Sequence, residues 1–137
     1  MYNKNICLDE EYIQGRNTEQ ELKPIIEKLL DCKLSAKKRY SKYDYEDTIK
    51  KILIEIKGRK ISSNKYNTTY INIEKILNIA TNKTIYFFFK FTDGIKYIKY
   101  ENKLFSKFKI KQTYLKHRNC LIKNVLISTD LLTDVKV

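Results

Sequence analysis

Two acidic residues and a lysine in the segment "YDYEDTIKKILIEIKGRK" could form a metal-dependent catalytic site. Glu55 and Lys57 interrupt an apolar run, and if that run is a strand they project from one face, because alternate residues share a face. If Asp47 pairs with Ile52 in an antiparallel hairpin, the same register sets Asp44 opposite Glu55, with Cβ atoms about 5 Å apart. The pattern therefore predicts that two carboxylates and an ammonium group converge.

Two carboxylates at this separation repel each other unless a cation lies between them, and oxygen ligands of this kind suit Mg²⁺. The predicted ligands are Asp44, Glu55 and the main-chain carbonyl of Ile56, and we expect Mn²⁺ to substitute. The ion would acidify a water and polarise a phosphodiester, while Lys57 would orient that water or stabilise developing negative charge. The alternative is a solvated strand face on which Glu55 and Lys57 merely neutralise each other.

The composition favours one domain over residues 1–137 that binds a polyanion. The net charge is +12, and each phosphate that a lysine or arginine neutralises releases a counterion. AT-rich codons are an alternative source of the lysines. The sequence has no apolar run of membrane-spanning length and no signal peptide, so we expect an intracellular protein without a membrane partner. Three widely spaced cysteines favour reduced thiols over a disulfide framework or a zinc site.

The elements that position the acids follow from periodicity. A helix is predicted over "NTEQELKPIIEKLLD", where apolar residues recur at helical spacing and Thr18 with Glu21 fits a capping box. Three strands are predicted in "KLSAKKRY", "SKYDYE" and "KILIEIKGR". A second helix is predicted over "YNTTYINIEKILNIA", with Asn67, Thr68 or Thr69 as its N-cap.

The segment "TIYFFFKF" is apolar on both faces and predicts a central strand, and Asp93-Gly94 predicts a tight hairpin into "IKYIKYE". The tail predicts one or two strands, around Phe108 and Val125, and a short helix near residues 130–134. The expected fold is therefore of the α/β or α+β class, a mixed sheet flanked by helices in the order α-β-β-β-α-β-β, followed by the tail.

The chain resembles the PD-(D/E)xK nuclease superfamily in having Asp44 and then Glu55-Ile56-Lys57 after one predicted helix and before another. The following "GR", "NKYNTTYINIEKI" and "FFFKFTDGIKYIKY" look similar to small viral and phage-type members of that superfamily. Tyr43 stands where the motif has proline. The resemblance implies a restriction-endonuclease-like core and Mg²⁺-dependent hydrolysis of DNA, with Asp44 and Glu55 as metal ligands and Lys57 as the catalytic lysine. Recombination, repair and restriction can all use such a site, in the cytoplasm or nucleus of a host if the source is viral. A Holliday-junction resolvase would also require a homodimer.

Many such enzymes take a further acid from the first helix, and Glu19 is the better candidate there. It lies about 50° from the inward direction of the helix, whereas Glu21 lies about 110° away. The alternative for Glu19 is a first-turn acid that complements the helix dipole.

Several residues are predicted to contact DNA. Arg59, Lys60 and Lys65 follow the predicted catalytic strand, where a nucleic-acid backbone would pass. Lys75 on the second helix could reach the same cleft, although a solvated helix lysine explains it as well. Tyrosines crowd this region and could stack on unpaired bases, but tyrosine also fills half-buried strand positions. The rival function is a non-catalytic nucleic-acid-binding protein with a degenerate nuclease fold.

Overall fold

The computed structural model describes the backbone of residues 4–137 and the side chains from residue 13 onward. Its central sheet contains β1 (Ser35–Ala36), β2 (Tyr45–Asp47), β3 (Ile52–Gly58), β5 (Thr84–Phe91), β6 (Gly94–Lys99) and β9 (Thr133–Asp134). The strand order is β1-β2-β3-β5-β6-β9. β3 and β5 run parallel, and the other neighbouring pairs are antiparallel.

A smaller antiparallel sheet contains β4 (Thr68–Asn72), β7 (Ile110–Leu115) and β8 (Cys120–Ser128), in the order β4-β8-β7. The helices are α1 (Lys4–Leu30) and the short α2 (Asn102–Phe105). Three 3-10 turns span Ile73–Ile76, Lys116–Arg118 and Thr129–Leu131. No helix within residues 4–137 combines the length and the apolar character that crossing a membrane requires.

The central sheet separates two apolar cores, because alternate residues of its strands point to opposite faces. On one face, Ile54 and Ile56 of β3 lie in a cluster with Leu22 and Ile26 of α1, which are both fully buried. On the other face, the second cluster joins residues of the central sheet to residues of the smaller sheet: Leu53, Ile85, Phe87, Phe89, Ile71, Val125 and Ile127. Glu55 has the parity of Leu53 and therefore points toward the second cluster.

The β2–β3 hairpin has the predicted register, with Asp47 opposite Ile52 and a four-residue turn between them. The carboxylate of Asp47 stabilises this turn by accepting the N–H groups of Ile49 and Lys50, at 3.0 and 2.9 Å. Its second oxygen accepts the N–H of Lys33 at 2.9 Å. An aspartate that caps its own turn in this way fixes the hairpin register, and with it the side to which each residue of β3 points.

The predicted start of the first helix is wrong. α1 begins at Lys4, so Thr18 is an interior residue whose hydroxyl donates to the Gln14 carbonyl at 3.2 Å. Glu21 forms an ion pair with Lys90 at 2.5 Å and is no capping-box partner. Pro24 lies inside the helix and is exposed, which limits the cost of its missing N–H because water can satisfy the free carbonyl.

The predicted second helix is also wrong. Residues 68–72 form β4, and a single 3-10 turn follows it, capped by Asn72, whose side chain accepts the Glu74 N–H at 2.9 Å. Thr69 and Ile71 are buried while Thr68 and Tyr70 are exposed, so the segment has a period of two. Threonine and isoleucine favour strands, and pairing with β8 settles the choice.

The hairpin follows the prediction to within one residue, and the tail follows it in part. Phe91 pairs with Gly94, so the two turn residues are Thr92 and Asp93, one position earlier than predicted, and Gly94 adopts a φ of 147°. In the tail, Val125 lies in β8 as predicted, whereas Phe108 lies between α2 and β7, and the predicted terminal helix is a 3-10 turn followed by β9. The observed fold is a mixed α/β structure of two sheets and few helices, in which a strand and a 3-10 turn, and no long helix, connect the parallel strands β3 and β5. A restriction-endonuclease-like core stays a prediction.

Candidate active site

Asp44 and Glu55 lie side by side at the point where β2 begins. The N–H of Asp44 donates to the Ile54 carbonyl at 2.9 Å, although Tyr45 already pairs with Ile54. Two consecutive residues thus face one, as in a β-bulge, which re-aims a side chain. The Asp44 carboxylate accepts the Ile56 N–H at 2.7 Å and also lies within hydrogen-bonding distance of the Glu55 carboxylate. The predicted convergence of the two acids is therefore observed, through a bulge that the sequence did not reveal.

Glu55 is 3% exposed, and its surroundings disfavour ionisation. Burial raises the pKa of its carboxyl to about 8, and the adjacent Asp44 adds to this effect, while Lys57 and Lys75 oppose it. Oε2 of Glu55 lies 3.9 Å from the Lys57 ammonium and 2.6 Å from the Lys75 ammonium. The oxygen is therefore paired by charge with Lys75, although neither ammonium has the alignment of a hydrogen bond within the described part of the chain.

Lys75 reaches Glu55 from the 3-10 turn after β4, and not from the predicted helix. Its ammonium also donates to the Lys42 carbonyl, and the Tyr43 hydroxyl donates to the Lys75 carbonyl at 2.6 Å. Burial and the nearby Glu55 charge raise the pKa of Tyr43 to about 12, which keeps this donor protonated. Lys75 therefore pairs with Glu55 inside the protein. The sequence predicted a DNA contact for Lys75 because the helical spacing of apolar residues around it suggested a helix in place of β4 and the 3-10 turn.

Glu19 contacts the same cluster from α1. It lies within hydrogen-bonding distance of Asp44 and 2.6 Å from the Arg16 guanidinium. Burial and Asp44 raise the pKa of Glu19 to about 7, against the opposing effect of Arg16. The helix-dipole explanation of Glu19 is wrong, because α1 begins fifteen residues earlier, at Lys4. α1 covers the face opposite to Glu55, so Asp44, at the strand end, connects acids from both faces of the sheet.

A small cavity of about 30 Å³ lies beside Glu19 and Asp44. It has room for a water or a small ion. Basic residues from the 37–39 segment and Arg16 also line it. Cations at this point would attract a phosphate toward the acids.

The donor set fits a hard divalent cation. Glu55 and Glu19 both keep raised pKa values next to Asp44, although Lys75 and Arg16 contact them, and a cation bound between the carboxylates would favour their ionised forms. Within the described residues no three His, Cys, Asp or Glu side chains have the spacing of a preformed metal site. Mg²⁺ needs no such cage, because one or two carboxylates with waters and substrate oxygens suffice.

The predicted DNA-contact residues differ in their surroundings. Arg59 is partly buried: its guanidinium donates to the Tyr70 carbonyl at 2.5 Å and stacks 4.3 Å from the centre of the Tyr70 ring. Burial lowers the pKa of Arg59. Lys60 and Lys65 are exposed. Arg59 therefore has a structural task that its position in the sequence did not indicate, while the two lysines are available to a polyanion.

Comparisons with protein-family models, with curated proteins and with solved structures find no match to this chain. The case for a function therefore depends on the side-chain chemistry of the acid cluster. The membership of the PD-(D/E)xK superfamily stays a prediction that these comparisons neither add to nor reduce.

Proposed function

We propose that the protein is a Mg²⁺-dependent endodeoxyribonuclease whose site is the acid cluster at the start of β2. The observation that carries the proposal is the buried Glu55 carboxylate, which lies against Asp44 and has a raised pKa although the Lys75 ammonium is 2.6 Å from it. Two adjacent buried carboxylates beside a half-exposed lysine are an arrangement that binds a cation and then a phosphate.

Asp44 and Glu55 would hold the cation, together with the predicted carbonyl ligand of Ile56. The bound ion would supply an acidified water and neutralise charge on the scissile phosphate. The Asp44 carboxylate is held by the Ile56 N–H, so its position is fixed before any ligand arrives. Lys57, with its side chain 39% exposed, can reach a substrate oxygen and stabilise developing negative charge. Glu19, with a pKa near 7, can accept a proton from water at neutral pH.

The net charge of +12 supports a polyanionic substrate, and its attraction to phosphates does not depend on sequence. We propose DNA as that substrate, on the resemblance of the Asp44 and Glu55-Ile56-Lys57 segments to PD-(D/E)xK nucleases. Mn²⁺ is expected to replace Mg²⁺, because both accept carboxylate oxygens.

A plasmid-nicking assay with and without Mg²⁺ or Mn²⁺ tests the proposal, with wild type compared with Asp44→Ala and Lys57→Ala. We expect metal-dependent conversion of supercoiled to open-circular DNA, which both variants abolish while binding to DNA in EDTA persists. Lys99→Ala is the matched control, because Lys99 is exposed on β6, two strands from β3, and the register places it on the sheet face opposite to Glu55. Cleavage that the Asp44 and Lys57 variants retain would exclude this site.

A non-catalytic nucleic-acid-binding protein is the second candidate, and one observation favours it. The Lys75 ammonium lies 2.6 Å from Glu55, where it neutralises the charge that would otherwise attract a cation. Wild-type protein that binds DNA equally well with and without divalent metal, and that leaves plasmids intact in both, would decide for this candidate.

A further inference from the structure

The outer face of the smaller sheet forms a groove that begins one residue after Lys57. The groove encloses about 720 Å³ and extends from Gly58 across the three strands. Strand alternation explains its composition: Ile71 and Val125 point to the core, so Tyr70, Lys111 and Asn124 point outward into the groove. Its volume is in the range of roughly 300–1,000 Å³ that accommodates organic ligands.

The segment between β3 and β4 closes one side of this groove and is held in place by the β5–β6 turn. The Asp93 carboxylate accepts the N–H and the hydroxyl of Ser63, at 2.9 and 2.6 Å. Arg59 stacks on the Tyr70 ring, and the Tyr70 residue is 46% exposed. Tyr66, on the same segment, is 58% exposed. Two aromatic rings are therefore presented to the groove on a fixed backbone.

The charged residues that line the groove are basic. Arg59, Lys60 and Lys111 line it, and none of the described residues that line it is acidic. A second cavity of about 620 Å³ continues past Gly58 and Arg59 to Lys90 and α1, and its described lining also contains no acid. Hydroxyl and amide groups from Thr68, Thr113 and Asn124 add hydrogen-bonding partners. A ligand with both negative charge and flat aromatic faces is complementary to this surface.

We propose that the groove binds an unpaired stretch of single-stranded DNA, whose bases stack on Tyr66 and Tyr70 and whose phosphates contact Lys60 and Lys111. Base stacking on tyrosine requires an unstacked base, and a duplex exposes only base edges in its grooves. The inference rests on the proposed function in one respect: the bound strand leaves the groove at Gly58, next to Lys57, so the preferred substrate carries a single-stranded segment beside the cleaved bond.

Fluorescence anisotropy with a labelled oligo-dT in EDTA measures this binding without cleavage. We expect Tyr66→Ala and Lys111→Ala each to weaken binding about tenfold, and Lys111→Ala to reduce the slope of log K against log salt by about 0.7. Tyr114→Ala and Lys123→Ala are matched controls, because both residues are exposed and point away from the groove on the same strands. Circular dichroism confirms that each variant folds.

Equal losses in the groove variants and the controls would overturn the proposal, as would a duplex that binds as tightly as oligo-dT. The nicking assay separates the two proposals. Groove binding without metal-dependent cleavage removes the nuclease and keeps the strand-binding surface. Cleavage that depends on Asp44 and Lys57 but not on Tyr66 or Lys111 keeps the nuclease and removes the groove as its substrate site.

Discussion

Glu46 and Glu55 are both buried, lie on the same face of the central sheet and each face two lysines, yet their acidities differ. Glu46 accepts hydrogen bonds from Lys37, at 2.8 Å, and from Lys83. These bonds lower the pKa of Glu46. Glu55 is 3% exposed compared with 8% for Glu46, and its pKa is raised to about 8. Two neighbouring cations are thus not enough to keep a carboxylate ionised.

The neighbour that differs is Asp44. Both oxygens of Glu46 are satisfied by ammonium donors, and Lys37 and Lys83 approach from the solvent side with side chains 34% and 31% exposed. Glu55 shares its space with a second carboxylate, and its lysines contact it without hydrogen-bond alignment. Glu46 therefore forms ion pairs that stabilise β2 between β1 and β3, whereas Glu55 stays difficult to ionise although Lys75 contacts it.

The largest expected difference between Glu55 and Glu46 is the effect of their substitution on DNA cleavage. We expect Glu55→Gln to reduce metal-dependent nicking by more than about 100-fold, because a lost ligand costs more than the 10- to 100-fold loss typical of residues that only orient ligands. Glu46→Gln should retain wild-type nicking, measured under conditions where both variants are folded. Nicking that falls equally in both variants would show that Glu55 acts only through stability.

The second largest expected difference is in how Glu55 and Glu46 contribute to the pH dependence of thermal stability. The pKa of Glu55 rises from 4.5 to about 8 on folding, so the unfolded chain ionises first and metal-free stability falls as pH rises through that range. Mg²⁺ binds the ionised form, so it should raise Tm by a few degrees at pH 8 and by less at pH 6. Differential scanning calorimetry measures both effects.

In this pH series, Glu55→Gln should lose the response to Mg²⁺, and Glu46→Gln should keep it. The lowered pKa of Glu46 has the opposite sign: its contribution is present at neutral pH and is lost as pH falls through the folded-state pKa. A Mg²⁺ response that is the same at pH 6 and pH 8 would contradict a raised pKa at Glu55.

The smallest expected effect comes from removing one lysine from each glutamate. Lys75→Met should raise the pKa of Glu55 further, and Lys83→Met should move the lowered pKa of Glu46 toward its usual value, both only in part because a second lysine remains beside each glutamate. NMR titration of ¹³C-labelled glutamate carboxyls measures these shifts. An unchanged midpoint of Glu55 in Lys75→Met would mean that the Lys75 ion pair does not persist in solution.

Local pattern was sufficient for the β2–β3 hairpin, because the turn and the alternation of Ile52 to Lys57 act within residues 45–58. It was not sufficient where partners come from far along the chain. Residues 66–80 have both a helical and a strand period, and pairing with β8, more than fifty residues away, decides between them. The capping-box pattern at Thr18 misled because it is a local signal inside a longer helix. The proximity of Asp44 and Glu55 was therefore predictable from the sequence, but Lys75 was not predictable as the partner of Glu55.

β4 and the 3-10 turn after it form one continuous segment from residue 68 to residue 76. Tyr70 lies in its strand part and Lys75 in its 3-10 turn. We expect the loss of either side chain to shift the backbone that connects the two residues. Changes in the free energy of unfolding from substitutions at Tyr70 and Lys75 should therefore not be additive. Those at Tyr66 and Lys75 should be additive, because Tyr66 lies outside this segment.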